Sequence, residues 1–202
     1  EEEFFTPDEL IQAFSMDRVA KNPAVFDIDK LNHINFHYMK KLSDEDLFHL
    51  CLPHLKEVGL APDSLNQADI DWLTLLCSTF RDHISYGAQI KDHVGMFMGE
   101  TVFLEEGHEE ELRAVLNEET APTVLSGFRN ALAELDEITP EVVKATIKAV
   151  MKETALKGKF VFMPIRVALT GQMHGPDLNN IVTLLGKEKC LHNLDNVGAL
   201  TK

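Results

Sequence analysis

Arg166 stands with Lys157 and Lys159 in a stretch, Lys157 to Leu194, that has little acid and two glycine-bounded turns. It lies two positions after Pro164 and five before Gly171, and Gly171 to Pro176 reads as a sharp loop between two helical runs. Its guanidinium is flat and carries five donors. Gly175 and Pro176 shape the loop, and Asp177 can cap the second run. There Leu178, Ile181, Val182 and Leu185 fall on one helical face. Such a loop presents backbone groups and a few polar side chains from a rigid base. The same residues also suit a buried helix pair with a proline kink and no ligand.

Other chemically able residues are scattered. His33 and His37 are four apart and could share a helical face, but no third ligand stands near to close a tetrahedral site, so no metal is expected. Cys51, Cys77 and Cys190 are far apart and form no Cys-x-x-Cys pair. They suit buried free thiols in a reducing compartment. The chain contains no glycine-rich phosphate loop, no Ser/His/Asp order and no convincing carboxylate pair. No catalytic residue is therefore assigned.

The elements that must position Arg166 are helices. Caps and helical-period apolar faces recur along the chain, and no period of two is sustained. Thr6-Pro7-Asp8-Glu9 is a capping box with proline at the first helical position. Its helix has Leu10, Ile11 and Phe14 on one face, and a loop through Asn22-Pro23 follows. Asp27 opens a helix with Leu31, Ile34, Tyr38 and Leu42 at helical spacing. Ser43 opens the next, which Pro53 should kink or split. A helix from about Asp69 carries Trp72, Leu73, Leu76 and Phe80 and ends at Arg81, and another is expected between Ser85 and Met98. The stretch from Gly99 to Gly107 is the best candidate boundary. Helices starting at Thr120 and Thr139 follow, the latter bearing Lys144, Lys148 and Lys152 four apart. Pro164 to Thr170 is expected as a short helix, and the tail after Asn196 as frayed. The expected fold is all-α, with two packed helical subdomains over residues 1–105 and 106–202.

The charge of −14 argues at first against an anionic partner. It is unevenly spread, however. From residue 140 onward nine basic side chains face five acidic ones, a net of +4, which leaves −18 on the first 139 residues. That asymmetry hints at an anionic partner for one end only, although a solvated lysine face would look the same. No run of about 18 apolar residues exists to span a membrane. An acidic helical scaffold for protein partners is the alternative that these features leave open.

Two segments resemble bacterial glutamyl-tRNA synthetases. Met163-Pro164-Ile165-Arg166-Val167-Ala168-Leu169-Thr170-Gly171, with Gly175-Pro176-Asp177-Leu178 and Leu184-Leu185-Gly186-Lys187-Glu188, is similar to their anticodon-binding region. Phe26-Asp27-Ile28-Asp29-Lys30-Leu31, with Asn35, Tyr38, Met39, Lys40 and Leu42, resembles the helical segment that touches the tRNA stem. The family's His-Ile-Gly-His and Lys-Met-Ser-Lys-type motifs are not in these residues. The resemblance thus implies the tRNA-binding half of a cytoplasmic, monomeric glutamate–tRNA ligase, cut after its catalytic loop and inactive alone. ATP and Mg²⁺ would belong to the missing catalytic domain. The implied partners are that domain and tRNA(Glu), or tRNA(Gln) as well. For sites it implies Arg166, Gly175, Pro176, Leu178 and Arg81 at the anticodon, and Lys30, Asn35, Tyr38 and Lys40 at the stem. Pro176 and Leu178 would offer apolar surface to splayed bases. Some relatives have an aromatic residue where this chain has Asn179.

Overall fold

The computed structural model describes residues 3–19 and 25–201. The loop expected through Asn22-Pro23 lies outside the described residues. Among those described there is no strand. The helices are α1 (Pro7–Ala13), α2 (Ile28–Met39), α3 (Asp44–Glu57), α4 (Gln67–Phe80), α5 (Gly95–Met98), α6 (Glu109–Leu116), α7 (Ala121–Ala133), α8 (Pro140–Thr154), α9 (Lys159–Thr170) and α10 (Leu178–Asp195). Short 3₁₀ turns intervene.

Local chemistry starts most of them. Thr6 and Glu9 form the reciprocal box at α1, with the Thr6 hydroxyl accepting from the Glu9 amide at 3.3 Å and the Thr6 amide donating to Glu9 Oε2 at 2.7 Å. Asp27 accepts from the Lys30 amide at α2, Ser43 from Asp46 at α3 and Thr139 from Val142 at α8. Asn66 and Asp69 form a second capping box, so α4 starts two residues before the position expected from sequence. Thr120 makes no such bond, and its hydroxyl is buried without a partner among the described residues.

Three expectations need correction. Of the two outcomes expected at Pro53, the split does not occur: α3 runs through it to Glu57. Pro53 and His49, whose carbonyl loses its usual amide partner, both sit on the exposed side of the helix, where water can serve that carbonyl. The helix expected over Ser85–Met98 is instead a 3₁₀ turn, Gly87–Asp92, followed by the single turn of α5. Gly87 lies so close to α3 that an added Cβ would stand 2.6 Å from the Leu50 carbonyl oxygen, so this stretch follows the surface of α3. The tail past Asn196 is not loose: Val197 and Leu200 pack on the core, and Arg113 Nε donates to the Leu200 carbonyl at 3.2 Å.

The core is continuous across the connector between α5 and α6. Leu47, Leu55, Leu76 and Phe80 on one side join Leu112, Phe128, Ile147 and Ile165 on the other in one buried cluster. Burial of such side chains supplies most of the stabilisation, about 1.5–3 kcal/mol each. α10 bends at Gly186 (φ +76), and Leu184, two residues before the bend, accepts the Trp72 indole N–H at 3.0 Å. Trp72 and Phe80 meet Phe97 edge-on, which ties α5 beneath α4. Cys51, Cys77 and Cys190 are all buried and free. Burial pushes the Cys190 thiol up to about 12.

Candidate nucleic-acid interface

α9 carries the candidate site. It begins at Lys159, earlier than the short helix expected from Pro164, and runs through that proline. Pro164 denies an amide to the Phe160 carbonyl, and Phe160 is exposed, so the cost is met by solvent. The helix stops at Gly171, whose left-handed φ of +70 favours glycine. The loop to Asp177 then turns the chain into α10. Asp177 caps α10 through the amides of Asn179 (2.7 Å) and Asn180 (3.3 Å).

Arg166 holds this loop from beneath. Its Nη2 donates to the Pro176 carbonyl at 2.7 Å. A Cβ on Gly175 would stand 3.0 Å from Arg166 Nη1, so the guanidinium and the loop backbone are in contact. Burial pushes the guanidinium below its ordinary value, and the nearby Asp177 charge opposes this. No carboxylate lies within ion-pair distance of it among the described residues. One of its five donors is spent on Pro176. Arg166, Gly175 and Pro176 are thus brought together, as the sequence suggested.

Leu178 is not available to them. It is 3% exposed and packs in the core with Ile181 and Val182, because the first turn of α10 must bury its apolar face. The expectation that it offers a stacking surface is therefore corrected, and of the apolar pair only Pro176 remains partly accessible. At Asn179, Oδ1 is buried without a hydrogen-bond partner among the described residues.

The start of the loop has a feature that sequence spacing did not reveal. A Cβ on Gly171 would meet the Phe103 carbonyl oxygen at 1.9 Å, and the Glu105 amide donates to the Gly171 carbonyl at 2.9 Å. The connector between α5 and α6 therefore lies directly against the hinge of the loop. The two contacting segments are distant in sequence, and neither carries a local signal of the other.

Arg81 is used quite differently. Nη1 donates to the carbonyls of Met39 (3.1 Å) and Leu42 (2.6 Å), and Nη2 to Asp44 Oδ1 at 2.6 Å. Its side chain is 17% exposed. It caps a helix C-terminus, as a cation should, but that of α2 and not of its own helix. Of the α2 residues, Lys30 pairs with Glu3 at 3.3 Å and Lys40 with Asp82 at 3.3 Å. Tyr38 Oη donates to the Phe5 carbonyl at 2.6 Å, and Asn35 is partly buried. His37 stacks on Phe4, with 3.8 Å between ring centroids.

The family model for an anticodon binding domain matches residues 46–197. The chain belongs to the anticodon-binding domain family. The matched span takes in α4, α8, α9 and the loop held by Arg166. Among curated relatives, glutamate–tRNA ligase of Bacillus subtilis is 43% identical over 98% of this chain and 40% of its own length. The enzyme of Desulfitobacterium hafniense is 46% identical over 99% of this chain and 41% of its own. The chain thus spans about 40% of the length of these relatives. A solved glutamate tRNA ligase from Elizabethkingia meningosepticum, in complex with its amino acid, shares this fold. Its TM-score is 0.77, with 21% identity, over 96% of this chain and 37% of the other. No helix among the described residues is long and apolar enough to cross a membrane.

Proposed function

We propose that this chain is the tRNA-binding part of a class I glutamate–tRNA ligase, the enzyme that joins glutamate to tRNA(Glu) at the expense of ATP. What carries the reading is the anticodon-binding match over residues 46–197, which includes the Arg166-braced loop. Curated relatives of that function, at 43–46% identity, support it. On this reading residues 106–202 meet the anticodon through Arg166, Gly175 and Pro176, and residues 1–105 meet the stem through Lys30, Asn35, Tyr38 and Lys40. Arg166 keeps donors for a base edge or a phosphate, and Pro176 offers a partly exposed ring. Arg81, with its donors committed to Met39, Leu42 and Asp44, serves by fixing the α2–α3 corner that presents the stem residues. ATP and Mg²⁺ would act in the remaining part of the ligase, so this chain alone activates no amino acid. It works in the cytoplasm as a monomer and accepts tRNA(Glu), with tRNA(Gln) the nearest competitor.

Electrophoretic shift of tRNA(Glu) by the purified chain tests this. A shift at low salt that weakens linearly on log–log axes as salt rises is the expected signature of phosphate contacts. No shift even at low salt would overturn the proposal.

A further inference from the structure

We propose that Phe162 is a stacking platform for an unpaired nucleotide of the bound RNA, working beside Arg166. The inference rests on the tRNA-binding reading above and extends it to a residue with no assigned role.

α9 is buried on most of its circumference: Val161, Pro164, Ile165, Val167, Ala168 and Leu169 all face the core. Phe162 does not, and stays 36% exposed. Residues three and four apart are neighbours on a helix surface. Lys159, Phe162 and Arg166 therefore form one line along the accessible side of α9. Side chains lean toward the helix N-terminus, which carries the stem of Arg166 back over the turn that holds Phe162. The line ends at the loop, because the Arg166 guanidinium touches Gly175 and donates to Pro176.

An exposed phenylalanine alone means little, since single apolar side chains are common on surfaces. Its neighbours give this one meaning. Lys157, Lys159 and Arg166 make no ion pair among the described residues, although the chain carries 33 acidic side chains. A ring whose neighbours along the helix are cations without an acidic partner complements a ligand that is both flat and anionic, although Lys159 Nζ also lies 5.6 Å from the centre of the Phe160 ring and Arg166 gives one donor to Pro176. An acidic peptide would satisfy the cations and leave the ring face unmatched. A splayed nucleotide meets both, with its base on the ring and its phosphate on the cations.

The test compares wild type with Phe162→Leu and Phe162→Tyr, using a synthetic anticodon stem-loop of tRNA(Glu) at fixed salt. Leucine keeps apolar bulk and loses the ring face, whereas tyrosine keeps the face. Phe162→Leu should weaken stem-loop binding on the order of tenfold, the size of one lost base–aromatic stack. Its salt slope should be unchanged, because no charge is removed, and its melting temperature should match wild type. Phe162→Tyr should bind like wild type. If Phe162→Leu also binds like wild type while wild type binds the stem-loop, the platform is refuted and the tRNA reading stands. A loss of affinity that parallels a loss of melting temperature makes Phe162 a packing residue and equally refutes the platform. If wild type binds neither tRNA nor stem-loop, the tRNA reading falls and the platform with it.

Discussion

Two arginines organise two corners of this molecule, and they are satisfied to very different degrees. Arg81 has two carbonyls and a carboxylate within 3.1 Å, and its contacts lock the α2–α3 corner to the end of α4. Arg166 has one carbonyl at 2.7 Å, no carboxylate partner, and a guanidinium whose charge burial disfavours. A buried cation with few partners is costly to maintain. On the proposed function, the difference separates a cation that completes a fold from one that meets a ligand. Residue type and local sequence could not make that distinction, because each arginine follows a buried apolar residue, Phe80 or Ile165, and its partners lie elsewhere in the chain.

The comparison is most sharply broken by Arg81→Ala. Hydrogen bonds to charged groups contribute about 1.5–3 kcal/mol each and are not additive, so a loss of about 3 kcal/mol is expected. Urea unfolding should show it. Any weakening of tRNA binding should be reproduced by an unrelated variant of equal stability.

Gly171→Ala comes next. The new Cβ would collide with the Phe103 carbonyl and would sit at a φ of +70. Overpacking and strain of this kind cost about 1–3 kcal/mol. Because Gly171 opens the Arg166 loop, this variant should lose tRNA affinity as well as thermal stability, and differential scanning calorimetry beside a gel shift checks both.

Arg166→Ala should invert the Arg81 pattern. One charged hydrogen bond is lost, but so is a part-buried charge that burial disfavours, so the two offset in part and stability should fall by about 1 kcal/mol. tRNA affinity should fall more, by roughly tenfold if one bidentate contact is removed. An equal loss in both quantities would place Arg166 with Arg81 as a structural cation.

A smaller effect concerns pH. His93 stacks on Phe80 and is held below its ordinary value chiefly by burial, with a hydrogen bond to His83 and the charge of Asp92 partly opposing and the His83 charge adding to it. The unfolded chain therefore binds more protons than the folded one as pH falls through about 6.5, and stability drops in that window and is intact above it. His93→Gln should flatten the decline between urea melts at about pH 7.5 and about pH 5.5.

The smallest expected effect is at Arg129, which grips Asp195 with two bonds of 2.9 and 3.1 Å between α7 and α10. Both side chains reach solvent, which screens the pair, so Arg129→Ala should barely shift the thermal melt.

What the sequence made legible was local. Thr6, Asp27, Ser43, Thr139 and Asp177 cap the helices they were expected to cap, because a cap needs only residues two or three apart. The Gly171–Asp177 loop was equally readable from its glycines and proline. Leu178 was misjudged because its place after the loop suggested access, while the period of α10 demanded burial. The role of Arg81 was hidden because its partners lie 37 to 42 residues away. Pro53 misled because its effect depends on which side of the helix faces solvent, a tertiary fact.

The connector between α5 and α6 looks from composition like the natural place to cut or splice this protein. Its backbone presses on Gly171 and bonds to it through Glu105, so its length and path set where the Arg166 loop begins. A fluorescent tag inserted there, or new termini opened there by circular permutation, would loosen the loop that Arg166 holds. The connector between α3 and α4, exposed at Pro62, Asp63 and Ser64, makes no backbone hydrogen bond to the loop among the described residues and is the better site for engineering.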